Sequence, residues 1–411
     1  MSADVDIVIV GGGAAGVGAA RRLAGSGLST ILLEASSRLG GRAFTQEVRG
    51  LDLDVGCGWL HSADRNAWAQ IATATGIPIE QSRAAWGAQY RNLGFTLEEQ
   101  AAAWKAFEAW TLRLAQSPPA SDRAADALDP AGEWNAHIRA IVSFISGATL
   151  ERLSAADYVA YDESSSEHNW RLRSGYGALI ARSFPRGVSL GLGTPVESLV
   201  LDAQGVSIAT PTGEIRARAA IFTVSTTVLA GETIRLPNEL DPWREAARRL
   251  PLGLNEKLFL EIAGAAPFEA ETHVTGNPRD ALTASYYIRP FGLPVIECFF
   301  GGERARLLAE EGVAAGFAYA LDQLSSLFGS GIRSLLRPLA GSSWTRMARV
   351  GGAYSYALPG HVSARNRLAQ PFERRIYFAG EATSPGDFST AHGAHDSGIR
   401  AANEAIADLT A

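Results

Sequence analysis

The apolar run ending at Val10 is short, rich in β-branched residues and stops at three successive glycines, Gly11 to Gly13. Such a run reads as a buried strand, placed here over Asp6–Val10. An Ala-rich stretch with helical spacing follows, and a second apolar run closes at Glu34. Trp104–Ala115 and Glu133–Ser146 repeat apolar residues at helical spacing, whereas Ser117–Pro119 and Asp129–Gly132 read as loops. After Pro195 the pattern alternates, and residues 196–224 read as successive strands joined at Gly205 and Gly213. Helical spacing returns over Glu303–Leu327, and the segment from Arg374 reads as strand, loop and a terminal helix that starts near Thr390 to Gly393. No internal repeat is visible. A strand-glycine-helix unit at each end of the chain predicts one nucleotide domain assembled from distant pieces. The intervening helices are then insertions that cover its site.

The front unit carries chemistry as well as pattern. Gly11, Gly13 and Gly16 fill G-x-G-x-x-G between a strand and a helix, the layout of a dinucleotide-binding βαβ unit. Gly11 permits the tight turn, Gly13 lets the backbone approach a pyrophosphate, and Gly16 lets helix and strand pack closely. The helix N-terminus aims its N–H groups at the anion. Glu34 falls where a carboxylate accepts ribose hydroxyls, and its charge would repel a 2′-phosphate, so NAD and FAD remain open and NADP is disfavoured.

Composition narrows the partners. The 411 residues are 46% hydrophobic and 19% charged, ordinary for a globular protein, and the net charge of −6 comes without a basic block. Nucleic acid and anionic membranes are therefore not expected as main partners. The apolar runs are broken well short of a membrane span. Cys57 and Cys298 lie far apart with no C-x-x-C, which suggests neither a disulfide framework nor a zinc site and fits a reducing compartment. Because the first strand begins almost at once, no cleavable leader is expected, and the chain is read as soluble and cytoplasmic, as a monomer or homodimer.

Beyond Glu34 stand Gly40, Gly41 and Arg42, then "DVGCGWLH" from Asp54 to His61, and near the end "YFAGEATS" from Tyr377 to Ser384. Together with the front motif, in this order, they resemble the FAD-dependent amine oxidases, the monoamine and polyamine oxidase superfamily. The resemblance implies an α/β fold in which a Rossmann-like FAD-binding domain of discontinuous segments (1–75, 176–250 and 344–411) joins an α+β substrate-binding domain (76–175 and 251–343). It implies noncovalent FAD, since Ala353 stands where monoamine oxidases place the cysteine that attaches the flavin. Glu34 would bind the adenosine ribose, Arg42 the phosphates, Glu381 the ribityl-pyrophosphate region, and the Val196 backbone the adenine. Ala15, Ala35, Gly41, Gly56, Trp59 and Gly380 complete the implied cofactor contacts. The N-terminus of the last helix, with Thr390, Ala391 and His392, would face the pyrimidine edge of the flavin, where negative charge collects on reduction.

For chemistry, the resemblance implies hydride transfer from an amine to flavin N5, giving an imine that hydrolyses, with O2 as acceptor and H2O2 as product. On local pattern Lys257 is a polar residue in an apolar strand; the resemblance makes it the lysine that reaches N5 through a water. Trp344 and Tyr354 become the flavin-facing wall and substrate cage, where aromatic faces orient an amine. Thr390 replaces the second cage tyrosine, leaving that sandwich incomplete. His61 reads either as a structural histidine or as one that binds or deprotonates an ammonium. His392 and His395 share a helix face, but without a third ligand no metal is expected. Two other readings stand beside the amine oxidase: an amino-acid oxidase, which needs a pocket arginine such as Arg83, Arg91, Arg171 or Arg289, and a flavin-binding interaction protein without turnover.

Overall fold

The computed structural model describes residues 3–203, 205–264 and 268–411. The first strand, Val5–Val10, lies inside a seven-stranded sheet between Thr30–Leu33 and Gly213–Phe222, parallel to both. Ile7, Val8 and Ile9 are fully buried, as expected of a parallel strand covered on both faces. The strand Ile376–Phe378, from the far end of the chain, pairs in parallel with Gly213–Phe222, so the sheet is assembled from three distant segments. The strands expected after Pro195 are Ser198–Leu201, Val206–Thr210 and Gly213–Phe222, joined near Gly205 and Gly213.

Helix Ala14–Leu23 packs on the terminal helix Ala391–Thr410. Small residues permit the approach: a Cβ at Gly18 would lie 2.6 Å from the His395 carbonyl oxygen, and one at Gly398 2.1 Å from that of Ala15. The ends of the chain are thus clamped together over one face of the sheet.

The second sheet is antiparallel, in the order Thr272–Thr275, Ser285–Ile288, Val295–Gly301, Asn255–Ile262, Leu336–Gly341. Alternation divides its faces. Val274, Tyr286, Ile296, Cys298, Phe300, Leu258 and Leu260 are buried in one cluster with Ala305, Leu308, Phe317, Ala320 and Leu324 of the helices behind. Those helices correct one expectation. The helical run over Glu303–Leu327 is two helices, Gly302–Glu311 and Val313–Phe328, because Gly312 adopts φ +94°. The helix expected from Trp104 begins earlier, at Leu97, where Thr96 and Glu99 form a reciprocal capping box. Its first turns are mostly exposed and polar, so they lack the apolar spacing that marks the rest. Helix Asn135–Ser146 matches its expected span closely.

Candidate active site

One cavity of about 960 Å³ runs from the glycine turn to the open face of the second sheet, at the top of the ~300–1,000 Å³ range usual for small-molecule sites. Its nucleotide end is built by close backbone packing. Gly11 has φ +108°, and a Cβ at Gly16 would lie 2.0 Å from the Gly11 carbonyl oxygen. Gly16 therefore serves the close packing expected of it and stands behind the turn, not on the cavity wall. Gly41 passes beside Gly13, with its would-be Cβ 3.1 Å from the Gly13 Cα, and Gly40 N–H donates to the Gly12 carbonyl at 2.8 Å.

Gly13 caps helix Ala14–Leu23 without a side-chain hydrogen bond, and no acid stands in the first turn. A Cβ on Gly13 would meet nothing nearer than 4.0 Å. These features leave a bare, positively polarised helix terminus beside open space, which suits a pyrophosphate. Glu34 lies across the turn, accepting from Gly12 N–H at 2.6 Å and from Ser36 N–H at 2.8 Å. Ala15, Ala35, Gly41, Gly56 and Val196 line the same portion of the cavity.

Arg42 and Glu381, far apart in sequence, form a 2.8 Å ion pair on the cavity wall, and Arg42 also donates to the Ala353 carbonyl. Glu381 accepts from Ser355 Oγ at 2.6 Å and from Ser389 N–H at 3.0 Å. Burial pushes its carboxyl upward, but Arg42, Ser355 and Arg365 outweigh that and hold it below the usual range. Ser355 in turn meets Arg365, which is fully buried and bidentate with Asp157 at 2.7 and 2.9 Å. A line of alternating charge therefore ties helix Ala155–Ser164 to the Gly380–Glu381 turn, which lines the cavity.

Toward the other end, the floor is the polar face of the second sheet: Asn255 and Lys257, Glu297 and Phe299, Ser285 and Tyr287, His273 and Thr275. Helix Leu97–Gln116 supplies Gln100, Trp104 and Phe107 to the roof, and helix Asn135–Ser146 supplies His137, Ile141, Phe144 and Ile145. Both sets have the i, i+4, i+7 spacing of one helix face. Trp59 and Trp86 form a side wall, their ring centroids 4.2 Å apart. Behind Trp59 sits the buried Arg171, 4.6 Å from its ring and paired with Glu271 at 2.6 Å.

Lys257 Nζ lies 2.9 Å from Glu297 Oε1 and donates to the Asp54 carbonyl at 3.3 Å. Both side chains are mostly buried, and both line the cavity. Asp54 itself receives N–H groups from Tyr176 and Gly177, and burial raises its carboxyl to about 6 despite those contacts. Trp344 donates its indole N–H to the Val55 carbonyl at 3.1 Å, and Tyr354 its hydroxyl to the Phe144 carbonyl at 2.6 Å, so each presents a ring to the cavity with its polar group already paired. His61 pairs through Nδ1 with Asn169 Oδ1 at 2.6 Å, and burial pushes it down to about 4. At neutral pH it is uncharged, with Nε2 left as an acceptor toward the cavity.

Thr390 and Ala391 line the cavity at the start of the last helix. The Thr390 hydroxyl accepts from Gly393 N–H at 2.9 Å and donates to the Asp387 carbonyl at 2.6 Å. Its hydroxyl proton is thus committed to the helix cap, which leaves the oxygen an acceptor only toward the cavity. His392 turns to Asp387 at 3.2 Å and His395 to Asp396 at 2.8 Å. Among the described residues, no group of three or more His, Cys, Asp and Glu could hold a metal. None of Arg83, Arg91, Arg171 and Arg289 lines the cavity; Arg91 pairs with Glu269 and Arg289 donates to the Phe268 carbonyl.

Sequence reasoning missed Glu297, His137, His273, Tyr287, Phe299 and Trp86. Glu297 left a faint signal, an acid inside the apolar run "VIECFF", but only strand pairing brings it to Lys257.

Residues 78–406 match the family model of flavin containing amine oxidoreductases, and residues 9–74 match that of an NAD(P)-binding Rossmann-like domain. The chain belongs to the flavin-containing amine oxidoreductases. Among relatives of this amine oxidase, polyamine oxidase 4 of Oryza sativa subsp. japonica is 27% identical over 97% of the chain and 88% of its own length. Pseudooxynicotine dehydrogenase of a Pseudomonas species is 46% identical over 79 residues, covering 19% of this chain and 16% of that protein. A solved structure of wild-type putrescine oxidase bound to putrescine superimposes with a TM-score of 0.77 at 18% identity, covering 98% of this chain and 99% of that one, which establishes the shared fold.

FAD is the cofactor of this amine oxidase, and the bare helix terminus at Gly13, Glu34 and the Arg42–Glu381 pair fit a dinucleotide. Noncovalent binding agrees with the thiols present. Cys298 is buried in the far face of the second sheet, and burial pushes the Cys57 thiol, at the cavity, up to about 12.

Proposed function

We propose that the chain oxidises a small primary or secondary amine, with O2 as the electron acceptor. Bound FAD supplies the acceptor for a hydride equivalent from the carbon beside the amine nitrogen. The resulting iminium adds water and breaks to an aldehyde or ketone and the nitrogen fragment, while O2 takes up two electrons and two protons and leaves as H2O2. The observation that carries the reading is the single cavity joining the dinucleotide cradle to an aromatic-walled chamber with the Lys257–Glu297 pair in its floor.

The chain's own residues hold and dry the substrate. Trp59, Trp86, Tyr354 and Phe299 offer ring faces to an amine and its apolar body. His61, its Nδ1 bonded to Asn169, keeps Nε2 as an acceptor for a substrate N–H. Lys257, anchored by Glu297 and the Asp54 carbonyl, is placed to hold a water at the chamber floor. An amino-acid oxidase would need a cation for the substrate carboxylate. The arginines that line the cavity are Arg38, Arg42 and Arg349; they bond Gly41 O, Glu381 and Ala35 O respectively, close to the nucleotide turn. The neutral-amine reading is therefore favoured. The two cysteines without a disulfide suit a cytoplasmic setting.

The test is anaerobic mixing of the holoprotein with monoamines, polyamines, N-methylated amines and amino acids while the flavin absorbance is followed. Bleaching by one class, reversed by air with release of H2O2, is the expected result. A yellow protein that no amine bleaches would end the amine oxidase reading and favour a flavin-binding protein without turnover.

A further inference from the structure

The cavity opens to solvent at both ends. Among the described residues that line it, those exposed fall into two groups, Thr233, Met347, Ala348 and Arg349 at the nucleotide end and Trp86, Gly87, Ala88 and Trp104 at the chamber end. The first group borders the dinucleotide cradle, where Arg349 bonds the Ala35 carbonyl beside Glu34. The second opening is therefore the way in for an amine. Trp86 and Trp104, 40% and 58% exposed, flank it.

One side of this mouth is a fixed frame. Trp59 pairs with Arg171 across two short strands, and the buried guanidinium lies 4.6 Å from the Trp59 ring and 5.0 Å from that of Tyr287. Glu271 holds both, bonding Arg171 at 2.6 Å and accepting from the Tyr287 hydroxyl at 2.8 Å. Against this frame rests Trp86, its ring 4.2 Å from that of Trp59 and 6.0 Å from that of His61.

Trp86 itself rides on a strap that is tied at its ends. Glu80 exchanges backbone hydrogen bonds with Arg171 at 2.8 and 3.0 Å. Gln89 grips Thr275, accepting its N–H at 2.8 Å and donating to its carbonyl at 3.0 Å, and its own N–H reaches Gln100, one helical turn before Trp104. Between those ties, Ser82 N–H reaches Glu80 Oε1 at 2.9 Å and Ala85 N–H reaches the Tyr287 hydroxyl at 3.4 Å. Among the described residues, no other hydrogen bond holds residues 81–88. Gly87 takes φ +80°, with nothing within 4 Å of a would-be Cβ. So few contacts make the centre of the strap easier to open than its ends or the frame.

We propose that Trp86 is the leaf of the substrate entrance and the residue that sets its size limit. The strap swings its ring off Trp59 to admit an amine and returns it over the bound molecule. Amines that fit beneath the closed ring are retained, and those whose far end props it open are lost quickly. The proposal rests on the amine oxidase reading for the identity of the guest.

The experiment uses the holoprotein without oxygen and two probes with one head group, benzylamine and 4-phenylbenzylamine. Trypsin reads the motion, because Arg83 lies on the strap and is exposed. Cleavage there, followed by the peptide that begins at Ala84, is expected to slow at least about fivefold in excess benzylamine. Affinities come from the initial flavin spectral shift, and bleaching rates are recorded separately. Benzylamine is expected to bind about tenfold tighter than 4-phenylbenzylamine, a ratio that falls to about threefold or less in Trp86→Ala and returns in Trp86→Phe, which keeps a ring against Trp59. Bleaching at saturation should change less than about threefold in Trp86→Ala, since the leaf governs retention and not the chemical step. Equal cleavage with and without amine, a ratio that Trp86→Ala leaves unchanged, or failure of both probes to bind either protein overturns the proposal. Binding and protection as expected without bleaching would leave the entrance standing and remove the amine oxidase reading instead.

Discussion

Replacing Lys257 by methionine separates what its charge does for the fold from what it does for the reaction. Its ammonium lies 2.9 Å from Glu297, with side-chain exposures of 9% and 19%. At that separation the gross attraction is about 6 kcal/mol for an effective dielectric of about 20. Desolvation of both ions cancels much of this, so the pair itself adds little, whereas breaking a buried pair from one side costs about 3–5 kcal/mol. Residual access of Glu297 to the cavity puts Lys257→Met near the lower figure, about 3 kcal/mol, and Glu297→Gln, which strands the more buried Lys257 but leaves it an amide oxygen and the Asp54 carbonyl, at about the same. The double variant, with both charges gone, should lose less than the sum of the two singles by at least about 1 kcal/mol. Urea unfolding of the flavin-saturated protein and its three variants measures this. A coupling below about 0.5 kcal/mol would refute the claim that the pair is a coupled, poorly solvated unit. In turnover the variants should group differently: Lys257→Met and the double variant both lose the proposed water-holding ammonium, so both should be slow however stable they are.

Three further outcomes are expected. Gly13→Ala should fold normally and bind FAD about tenfold or more weakly, because its methyl enters open cradle space, whereas Gly16→Ala should destabilise the fold itself through the 2.0 Å approach to Gly11 O; FAD titration and thermal unfolding of the apoprotein distinguish them. Asp157→Asn leaves the fully buried Arg365 short of its counter-charge and should cost about 3 kcal/mol or more in urea unfolding, with part recovered in the Asp157→Asn, Arg365→Met double variant. Burial depresses His61, His137 and His273 from 6.5 to about 4, so the unfolded chain binds more protons between those values and the stability they contribute, complete above pH 6.5, is lost as pH falls toward 4. Asp54, raised from 3.8 to about 6, acts with the opposite sign across the same window. Unfolding midpoints at pH 4.5 and 7.5 should therefore differ in favour of 7.5, and His273→Phe should narrow the gap.

The sequence alone determined the parts whose physics is local. A buried strand, a glycine turn and a helix occupy consecutive residues, so the nucleotide cradle at Gly11 to Glu34 was legible before any folding was known, as were the roof helices and the strands after Pro195. The resemblance carried by Arg42, the Gly56–Trp59 segment and Glu381 extended that to the family. Tertiary structure decided what depends on pairing across long separations. Lys257 and Glu297 meet only because two strands align antiparallel, and His273 faces the chamber with them because alternation on a third and fourth strand falls in the same register. Likewise only the folded chain shows that the Thr390 hydroxyl closes the helix cap and spends its proton there. The charge of His61 could not be read at all until burial set it to neutral. Side-chain commitment and desolvation belong to the packed molecule. A linear pattern of residue types carries neither, because both arise from neighbours that the chain reaches only by folding.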